Sequence, residues 1–221
     1  MIEQCPNGAW VVSGDTHIGK WVREKGLIHD AHMSGIIRGL IREHGIKTCI
    51  DAGANIGTLT RVMLDEGCGV FAFEPNHDCV ACLRKNCPEA VVYECALSGC
   101  NRKVSLISDV NVGASHVSET EGEIRVQSMT MDSYGHFAPG FIKLDCEGWE
   151  PKALRGGYET IRKYHPFIIC EVNQGALLRA RESRESLFAI LDELGYPEAN
   201  RTILQPQQTP ESEIYDILCR P

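Results

Sequence analysis

The stretch IDAGANIGTLT, residues 50–60, leads from an apolar segment through a glycine-containing turn into a helical pattern. Turns of this kind often hold phosphate, because their backbone N–H groups lie at the start of a helix. Here the turn begins with an acid, Asp51, which would repel an anion. The stretch therefore predicts either a turn without a ligand or a ligand that carries positive charge.

Apolar segments alternate with helical patterns on both sides of this turn. Nearly continuous apolar runs predict buried strands at 47–51, 69–74, 90–96, 140–145 and 166–172. Helical spacing predicts helices at 31–44, 77–86, 150–163 and around 187–194. This alternation indicates an α/β protein with a parallel sheet, whose ligands bind beyond the carboxyl ends of the strands. We expect residues 31–221 to form one domain and residues 1–30 to form a cap or edge.

Composition narrows the range of partners. The chain has 221 residues, a formal net charge of −8 and no apolar run of the roughly 20 residues that a membrane helix needs. Eleven cysteines without a recognisable signal peptide indicate a reducing interior, so we expect a cytoplasmic protein. Lys and Arg are not clustered, which makes nucleic acid an unfavoured partner. The oligomeric state is not predicted.

A second acid ends the next predicted strand. Glu74 closes GVFAFE, residues 69–74, where a carboxylate can accept both hydroxyls of a ribose. Asp51 suits an amino group, and Asn55 occupies the position at which a dinucleotide turn has its close-approach glycine. An adenosine that carries an amino acid matches both acids. We therefore expect S-adenosylmethionine as the cofactor.

Several motifs resemble, in kind and order, those of FkbM-type methyltransferases. They are Asp51-Ala-Gly-Ala-Asn-Ile-Gly57, Phe73-Glu-Pro-Asn76, Ala96-Leu-Ser98, Lys143-Leu-Asp-Cys-Glu-Gly-Trp-Glu150 and the strand ending in Glu171. The resemblance implies a class I methyltransferase fold, Rossmann-like, with a mostly parallel sheet of seven strands, helices on both faces and an antiparallel last strand. It also implies methyl transfer to a hydroxyl of a sugar, a glycan or a related small molecule.

The same resemblance implies where the cofactor binds. The turn would line the methionine part, with Asp51, Gly53, Ala54, Asn55 and Gly57 as its binding residues. Glu74, with Pro75 beside it, would lie at the ribose. The adenine would lie near Ala96 and Leu97.

A cluster of acids follows the predicted strand 140–145. Asp145 ends this strand and should face the cleft near the transferred methyl group, and Glu147 follows two residues later. We predict both as catalytic residues, because O-methylation requires a group that removes the hydroxyl proton. Glu147 could instead hold the loop by accepting backbone N–H bonds, and Glu150 could favour the first turn of the next helix.

The identity of the base and the use of a metal stay open. His29 lies in the N-terminal segment that could cover the cleft, and histidine titrates near neutrality. Asp145, Glu171 and Asn173 end two neighbouring strands and resemble the magnesium site of catechol-type O-methyltransferases. We favour a metal-free mechanism, because this ligand spacing is loose and Mg²⁺ requires near-octahedral geometry.

Two other functions remain open. The first is methylation of nucleic acid on the same fold, and the second is a non-catalytic, cofactor-binding partner subunit. Amino methylation of adenine would resemble proteins with an Asn/Asp-Pro-Pro-aromatic element after the fourth strand, where this chain reads Asp-Cys-Glu-Gly. That difference and the negative net charge count against the nucleic-acid function. The methyl acceptor itself is not identified by the sequence.

Overall fold

The computed structural model describes residues 1–28, 30–109, 111–120, 122, 124–135, 137–205, 209 and 212–221. Its strands are β1 (Ile2–Gln4), β2 (Trp10–Val12), β3 (Thr48–Ala52), β4 (Gly69–Phe73), β5 (Val91–Tyr93), β6 (Ala96–Leu97), β7 (Arg102–Ile107), β8 (His116–Ser118), β9 (Ile124–Met129), β10 (Phe141–Leu144), β11 (Phe167–Asn173), β12 (Arg201–Ile203) and β13 (Ile214–Cys219). Its helices are α1 (Ile18–Lys25), α2 (Ala31–His44), α3 (Thr58–Asp65), α4 (His77–Asn86), α5 (Glu150–Gly156), α6 (Tyr158–Tyr164), α7 (Gln174–Arg179) and α8 (Arg184–Glu193).

The central sheet confirms the predicted fold class. Its seven strands lie in the order β12-β13-β11-β10-β3-β4-β5. Neighbours from β11 to β5 are parallel, and β13 pairs antiparallel with both β11 and β12. From β3 the chain continues towards one edge of the sheet, and from β10 it continues towards the other. The carboxyl ends of these two adjacent strands therefore form a topological switch point, where α/β sheets bind their ligands.

Helices cover both faces of the sheet, because its buried strands are apolar on both sides. Cys49 and Val70 belong to a core cluster with residues of α2 and α3. Ile50 and Ile142 belong to the other main cluster, which includes residues of α5 and α8. Successive residues of a strand therefore pack against helices on opposite faces of the sheet, because side chains alternate between the two faces along a strand.

Two predicted elements are interrupted. The helix predicted over 150–163 is wrong as a single unit, because α5 and α6 meet at Gly156 and Gly157. A Cβ at Gly156 would lie 1.9 Å from the carbonyl oxygen of Ser98, so the backbone packs too closely for any side chain. The strand predicted over 90–96 divides into β5 and β6. β6 pairs with β9 in a second sheet of order β6-β9-β7-β8.

The N-terminal segment packs beside the switch point. β1 and β2 form an antiparallel pair, and α1 follows. Val11 and Val22 of this segment share a core cluster with Cys79 and Cys82 of α4 and with Ile56 of the glycine turn. The segment is therefore part of the packed molecule. Among the described residues, no helix combines the length and the apolar composition that crossing a membrane requires.

Candidate active site

A cavity of about 610 Å³ lies at the carboxyl ends of β3, β4 and β10. Strand ends and the loops after them supply one part of its lining, including Asp51, Glu74 and Asp145. The segment around α1 and the residues near β8 supply the rest. The cavity therefore lies at the switch point, where the sequence places its chemically suggestive motifs.

Asp51 lies on β3 with a fully buried side chain. Its Oδ2 accepts a 2.6 Å hydrogen bond from the hydroxyl of Thr60 in α3. Its Oδ1 is buried and has no hydrogen-bond partner among the described residues, and the Nζ of Lys143 lies 3.6 Å away. A buried polar atom without a partner is uncommon in folded proteins. Because Asp51 also lines the cavity, this oxygen is available to a cationic donor.

The turn after β3 has the backbone geometry that its residue types allow. Gly53 has a φ of 74°, and a Cβ there would lie 1.8 Å from the carbonyl oxygen of Asp145. Glycine is therefore required for the β3 turn to approach the β10 loop. Asn55 also has a positive φ, 50°, a conformation that asparagine adopts more readily than most residues.

Glu74 links the end of β4 to this turn. Its carboxylate accepts hydrogen bonds from the backbone N–H groups of Asn55 and Asn76, at 2.9 and 2.8 Å. Burial raises the pKa of Glu74 to about 7, against the lowering effect of these two hydrogen bonds. Each oxygen keeps a second lone pair, so Glu74 can accept further hydroxyl groups from the cavity.

Lys143 is a buried cation between the two strand ends, a role that sequence reasoning did not assign to it. Its Nζ lies 3.3 Å from Oδ2 of Asp145 and donates a 2.8 Å hydrogen bond to the carbonyl of Gly53. Burial alone would lower the pKa of Lys143, but Asp145 and Asp51 together raise it above its usual range. A charged residue inside the apolar strand GFIKLD was the signal for such a role.

Three carboxylates meet beyond β10 and β11. Asp145, Glu147 and Glu171 each offer an oxygen within 4.8 Å of the others. All three line the cavity. Asp145 contacts Lys143, and Glu147 lies 3.6 Å from a guanidinium nitrogen of Arg179. Two of the three acids thus have a cationic partner within the protein.

Crowding changes the proton affinity of this cluster. Burial and the charge of Asp145 raise the pKa of Glu147 to about 7. Burial, with the charges of Asp145 and Glu150 next in importance, raises the pKa of Glu171 to about 10. Like charges close together in a partly buried site favour the neutral form of one member. At neutral pH Glu171 is therefore protonated, and Glu147 is divided between its two forms.

Glu150 holds the loop that carries these acids. Its Oε1 accepts hydrogen bonds from the N–H groups of Cys146 and Gly148, at 2.6 and 3.3 Å. Backbone acceptance was predicted as an alternative role for Glu147, and the structure gives it to Glu150 instead. Glu147 has a left-handed backbone, with a φ of 53°.

Most of the predicted site residues line the one cavity. They are Asp51, Gly53, Ala54, Asn55, Glu74, Pro75, Ala96, Leu97, Asp145, Glu147 and Glu171. Gly57 does not line it; a Cβ there would meet Leu83 and Cys87 at 2.8 Å, which makes it a packing glycine. Asn173 does not line it either, because its side chain caps α7 by accepting from Ala176 N–H. His29 lies outside the described residues.

Comparison with known proteins finds a family model that matches most of the chain, including most of the residues that line the cavity. The model of the methyltransferase FkbM domain matches residues 51–197, which is more than half of the chain. The match begins at Asp51 near the end of β3, after α1 and α2, and it includes the glycine turn and the acidic loop. Among curated proteins, none matches the chain in sequence.

Solved structures share the fold. The methyltransferase FkbM from Methylobacillus flagellatus KT aligns with a TM-score of 0.53 and 17% identity, over 78% of this chain and 43% of that one. The chain therefore spans less than half the length of that protein. A putative O-methyltransferase from Klebsiella pneumoniae gives a TM-score of 0.52 and 14% identity, over 95% and 92% of the two chains. The magnesium protoporphyrin IX methyltransferase of Synechocystis PCC 6803 gives 0.51 and 12%, over 93% and 85%. These similarities show the class I methyltransferase fold.

Proposed function

Since the chain belongs to the FkbM methyltransferase family, we propose that it is a methyltransferase and that it methylates a hydroxyl of a sugar, a glycan or a related small molecule. S-adenosylmethionine supplies the methyl group in this proposal. The Synechocystis relative holds this cofactor in its structure. The charge of the cavity, the Asp51 oxygen that lacks a hydrogen bond and the acids beyond β10 support this function.

The charge of the cavity supports a cationic cofactor. Six acids line it, against two lysines, Lys25 and Lys143; the acids are Asp30, Asp51, Glu74, Asp145, Glu147 and Glu171. S-adenosylmethionine carries a sulfonium and an ammonium group against a single carboxylate, so its net charge is positive and such a lining attracts it. The same lining repels the phosphates of a dinucleotide or of nucleic acid. We therefore keep methylation of a nucleic acid as the less favoured function.

The unpartnered oxygen of Asp51 carries the cofactor assignment. An ammonium group bound at Oδ1 would satisfy a buried acceptor that no described residue satisfies. Glu74 has lone pairs free for ribose hydroxyls, and its two backbone hydrogen bonds keep the carboxylate in place. Ala96 and Leu97 offer a small, buried and apolar surface that suits a purine ring.

Glu147 is the base that we assign to the acceptor hydroxyl. Its pKa of about 7 suits proton transfer at neutral pH, because a general base works best when its pKa lies near the operating pH. Bound S-adenosylmethionine would supply the methyl group and would leave as S-adenosylhomocysteine when its bond between sulfur and the methyl carbon breaks. The Glu147 carboxylate would take the proton of the acceptor hydroxyl. Glu171 in its protonated form can donate a hydrogen bond to the acceptor, and Asp145 can accept one.

We further propose that no divalent cation takes part. Oxygens of Asp145, Glu147 and Glu171 lie close enough together for a metal, so the donor set alone would fit one. However, Lys143 and Arg179 already neutralise two of these carboxylates. The proton on Glu171 would also have to leave before that residue could bind a cation.

Calorimetric titration with S-adenosylmethionine tests the cofactor assignment. Asp51→Asn and Glu74→Gln remove a charge while they keep the shape of the side chain. Loss of a charge-assisted hydrogen bond should weaken binding roughly ten- to a hundredfold in each variant. The exposed Glu193 on α8 serves as the control, and Glu193→Gln should bind as the wild type does. Equal affinity in all three correctly folded variants would remove the basis of the assignment.

A further inference from the structure

One wall of the cavity is built by residues that precede the family domain. His17, Trp21 and Lys25 of α1 and its N-terminal flank line the cavity, although the family match begins at Asp51. Asp51 and Glu74, which we assign to the cofactor, and Glu147, which we assign to proton transfer, all belong to the family match. The wall formed by α1 is therefore free for the second substrate, the methyl acceptor.

Trp21 gives this wall a flat apolar surface. Trp21 is 37% exposed, and of the exposed large apolar residues among those described it is the one that lines the cavity. Lys25 Nζ lies 4.0 Å from the centre of its ring, a cation–π contact that also restrains the indole. An exposed aromatic ring in the lining of a functional cavity is a typical contact for a ligand.

The helix that carries Trp21 is firmly anchored. Val22, next in sequence, is fully buried and packs with cysteines of α4. Asp15 accepts hydrogen bonds from the backbone N–H groups of His17 and Gly19, at 3.1 and 2.6 Å. Arg23 donates to the carbonyl of Asp15 at 3.0 Å. The Trp21 ring is therefore a preformed surface, which lowers the entropy cost of binding against it.

The groups around Trp21 define the chemistry of an occupant. An indole ring packs against apolar C–H groups, while His17, Lys25 and Asp30 offer donors and acceptors in the same cavity lining. The cavity as a whole is lined by six acids and only two lysines, which disfavours a phosphorylated acceptor. A neutral ring with a C–H face and several hydroxyls could pack on the indole through its C–H groups and form hydrogen bonds with the polar side chains through its hydroxyls. A sugar ring has this chemistry.

We infer that α1 forms the acceptor subsite and that Trp21 is the platform on which a neutral sugar ring packs. The inference rests on the proposed function, and it makes Trp21 a specificity-determining residue outside the family domain. Substitution of the ring should weaken binding of the acceptor and leave binding of the cofactor unchanged.

Ligand-observed saturation-transfer NMR on the full chain, saturated with S-adenosylhomocysteine, tests the inference. The probes are the methyl α-glycosides of glucose, galactose, mannose and rhamnose, with catechol as a flat phenolic comparison. At least one glycoside should receive saturation from the wild type. Its affinity should fall about tenfold in Trp21→Ala and in Trp21→Leu, and Trp21→Phe should retain most of it.

A second tryptophan supplies a matched control. Trp10 on β2 also has a lysine over its ring, with Lys85 Nζ 4.1 Å from the centre, but it does not line the cavity. Trp10→Ala should bind the glycoside as the wild type does. Calorimetric affinity for S-adenosylhomocysteine should be equal in all of the Trp21 variants, which shows that the effect is confined to the acceptor.

The outcomes separate this inference from the proposed function. If no glycoside binds, if only catechol binds, or if binding is the same in Trp21→Ala, the inference is overturned. A glycoside that binds through Trp21 but is not methylated when S-adenosylmethionine is added would refute methylation of that sugar and leave the platform standing. Methylation of a glycoside with the same KM in wild type and Trp21→Ala would refute the platform and leave the methyltransferase function standing.

Discussion

Glu147 combines an unusual backbone with an unusual environment. Its φ of 53° lies in the left-handed region, which costs a residue other than glycine about 1 kcal/mol or more. The Glu150 carboxylate holds the N–H groups on both sides of it, and this offsets the cost. Such conformations concentrate at functional sites, where the surrounding structure maintains them. The strain supports the assignment of Glu147 to chemistry.

We expect the rate of methyl transfer to depend on the charge of Glu147. A base acts in its deprotonated form, so kcat/KM of the wild type should rise with pH through about 7 and then level off. Glu147→Gln should lower kcat at least about a hundredfold and should remove this rise. The measurement uses the glycoside found in the binding panel, with EDTA present throughout.

Two results would contradict that mechanism. An unchanged pH profile in Glu147→Gln would mean that another group removes the proton. Loss of wild-type activity on addition of EDTA, with recovery on addition of Mg²⁺, would show that a metal held by Asp145, Glu147 and Glu171 activates the hydroxyl.

Glu171 should make the folded protein less stable as the pH rises. Its pKa is raised to about 10 in the folded state, against about 4.3 in an unfolded chain. Between these two values the folded state binds the extra proton, so the free energy of unfolding falls with increasing pH. Glu171→Gln removes this loss and should stabilise the protein by more than about 1 kcal/mol at pH 8.5.

Urea unfolding at pH 6 and pH 8.5 provides the measurement. The gain in Glu171→Gln should be larger at pH 8.5, whereas Glu43→Gln, at an exposed position on α2, should show no such trend. A destabilised Glu171→Gln variant at both pH values would mean that the carboxylate is ionised and bound in the folded state.

The acidic loop between β10 and α5 depends on a close backbone contact with α7. A Cβ at Gly148, where φ is 94°, would lie 2.2 Å from the carbonyl oxygen of Ala176. Gly53 makes the corresponding approach from the other side, against the carbonyl oxygen of Asp145. The loop is thus fixed between two elements by glycines that no other residue can replace without a shift of the backbone.

Gly148→Ala should therefore destabilise the protein by at least about 3 kcal/mol, because the clash adds to the cost of a positive φ. Gly67→Ala separates the two effects: Gly67 has a φ of 78° but has open space where its Cβ would lie. That variant should lose only about 1 kcal/mol. Chemical denaturation of both variants gives the comparison, and equal losses would show that the contact with Ala176 has no energetic role.

At the scale of the whole molecule, the cavity joins parts that are distant in the chain. The N-terminal segment packs on α4 and on the glycine turn through Val22, Cys79 and Ile56. It thereby brings Trp21 to the same cavity as Asp145, 124 positions later in the sequence. The segment that precedes the family match thus supplies one wall of the cavity.

Local signals in the sequence were sufficient for the fold class and for bringing three strand-end acids to one cavity. Apolar runs alternating with helical spacing specify a parallel sheet, because buried strands must be apolar on both faces. Asp51, Glu74 and Asp145 follow such runs, and the carboxyl ends of parallel strands meet at one edge. The helix predicted over 31–44 agrees with α2 at Ala31–His44, since helical spacing is a local pattern.

Only the tertiary structure decided which groups contact one another across the cavity. Lys143 lies between Asp51 and Asp145, Glu150 rather than Glu147 holds the loop, and Asn173 caps a helix instead of reaching the acids. The breaks at Gly156 and after β5 likewise depend on neighbours that are distant in sequence. Sequence periodicity reports which face of an element is buried, but it carries no information about the distance between side chains on different elements. Packing sets these distances. It thereby brings the acids together that raise the pKa of Glu171, and it brings Trp21 into the lining of the cavity.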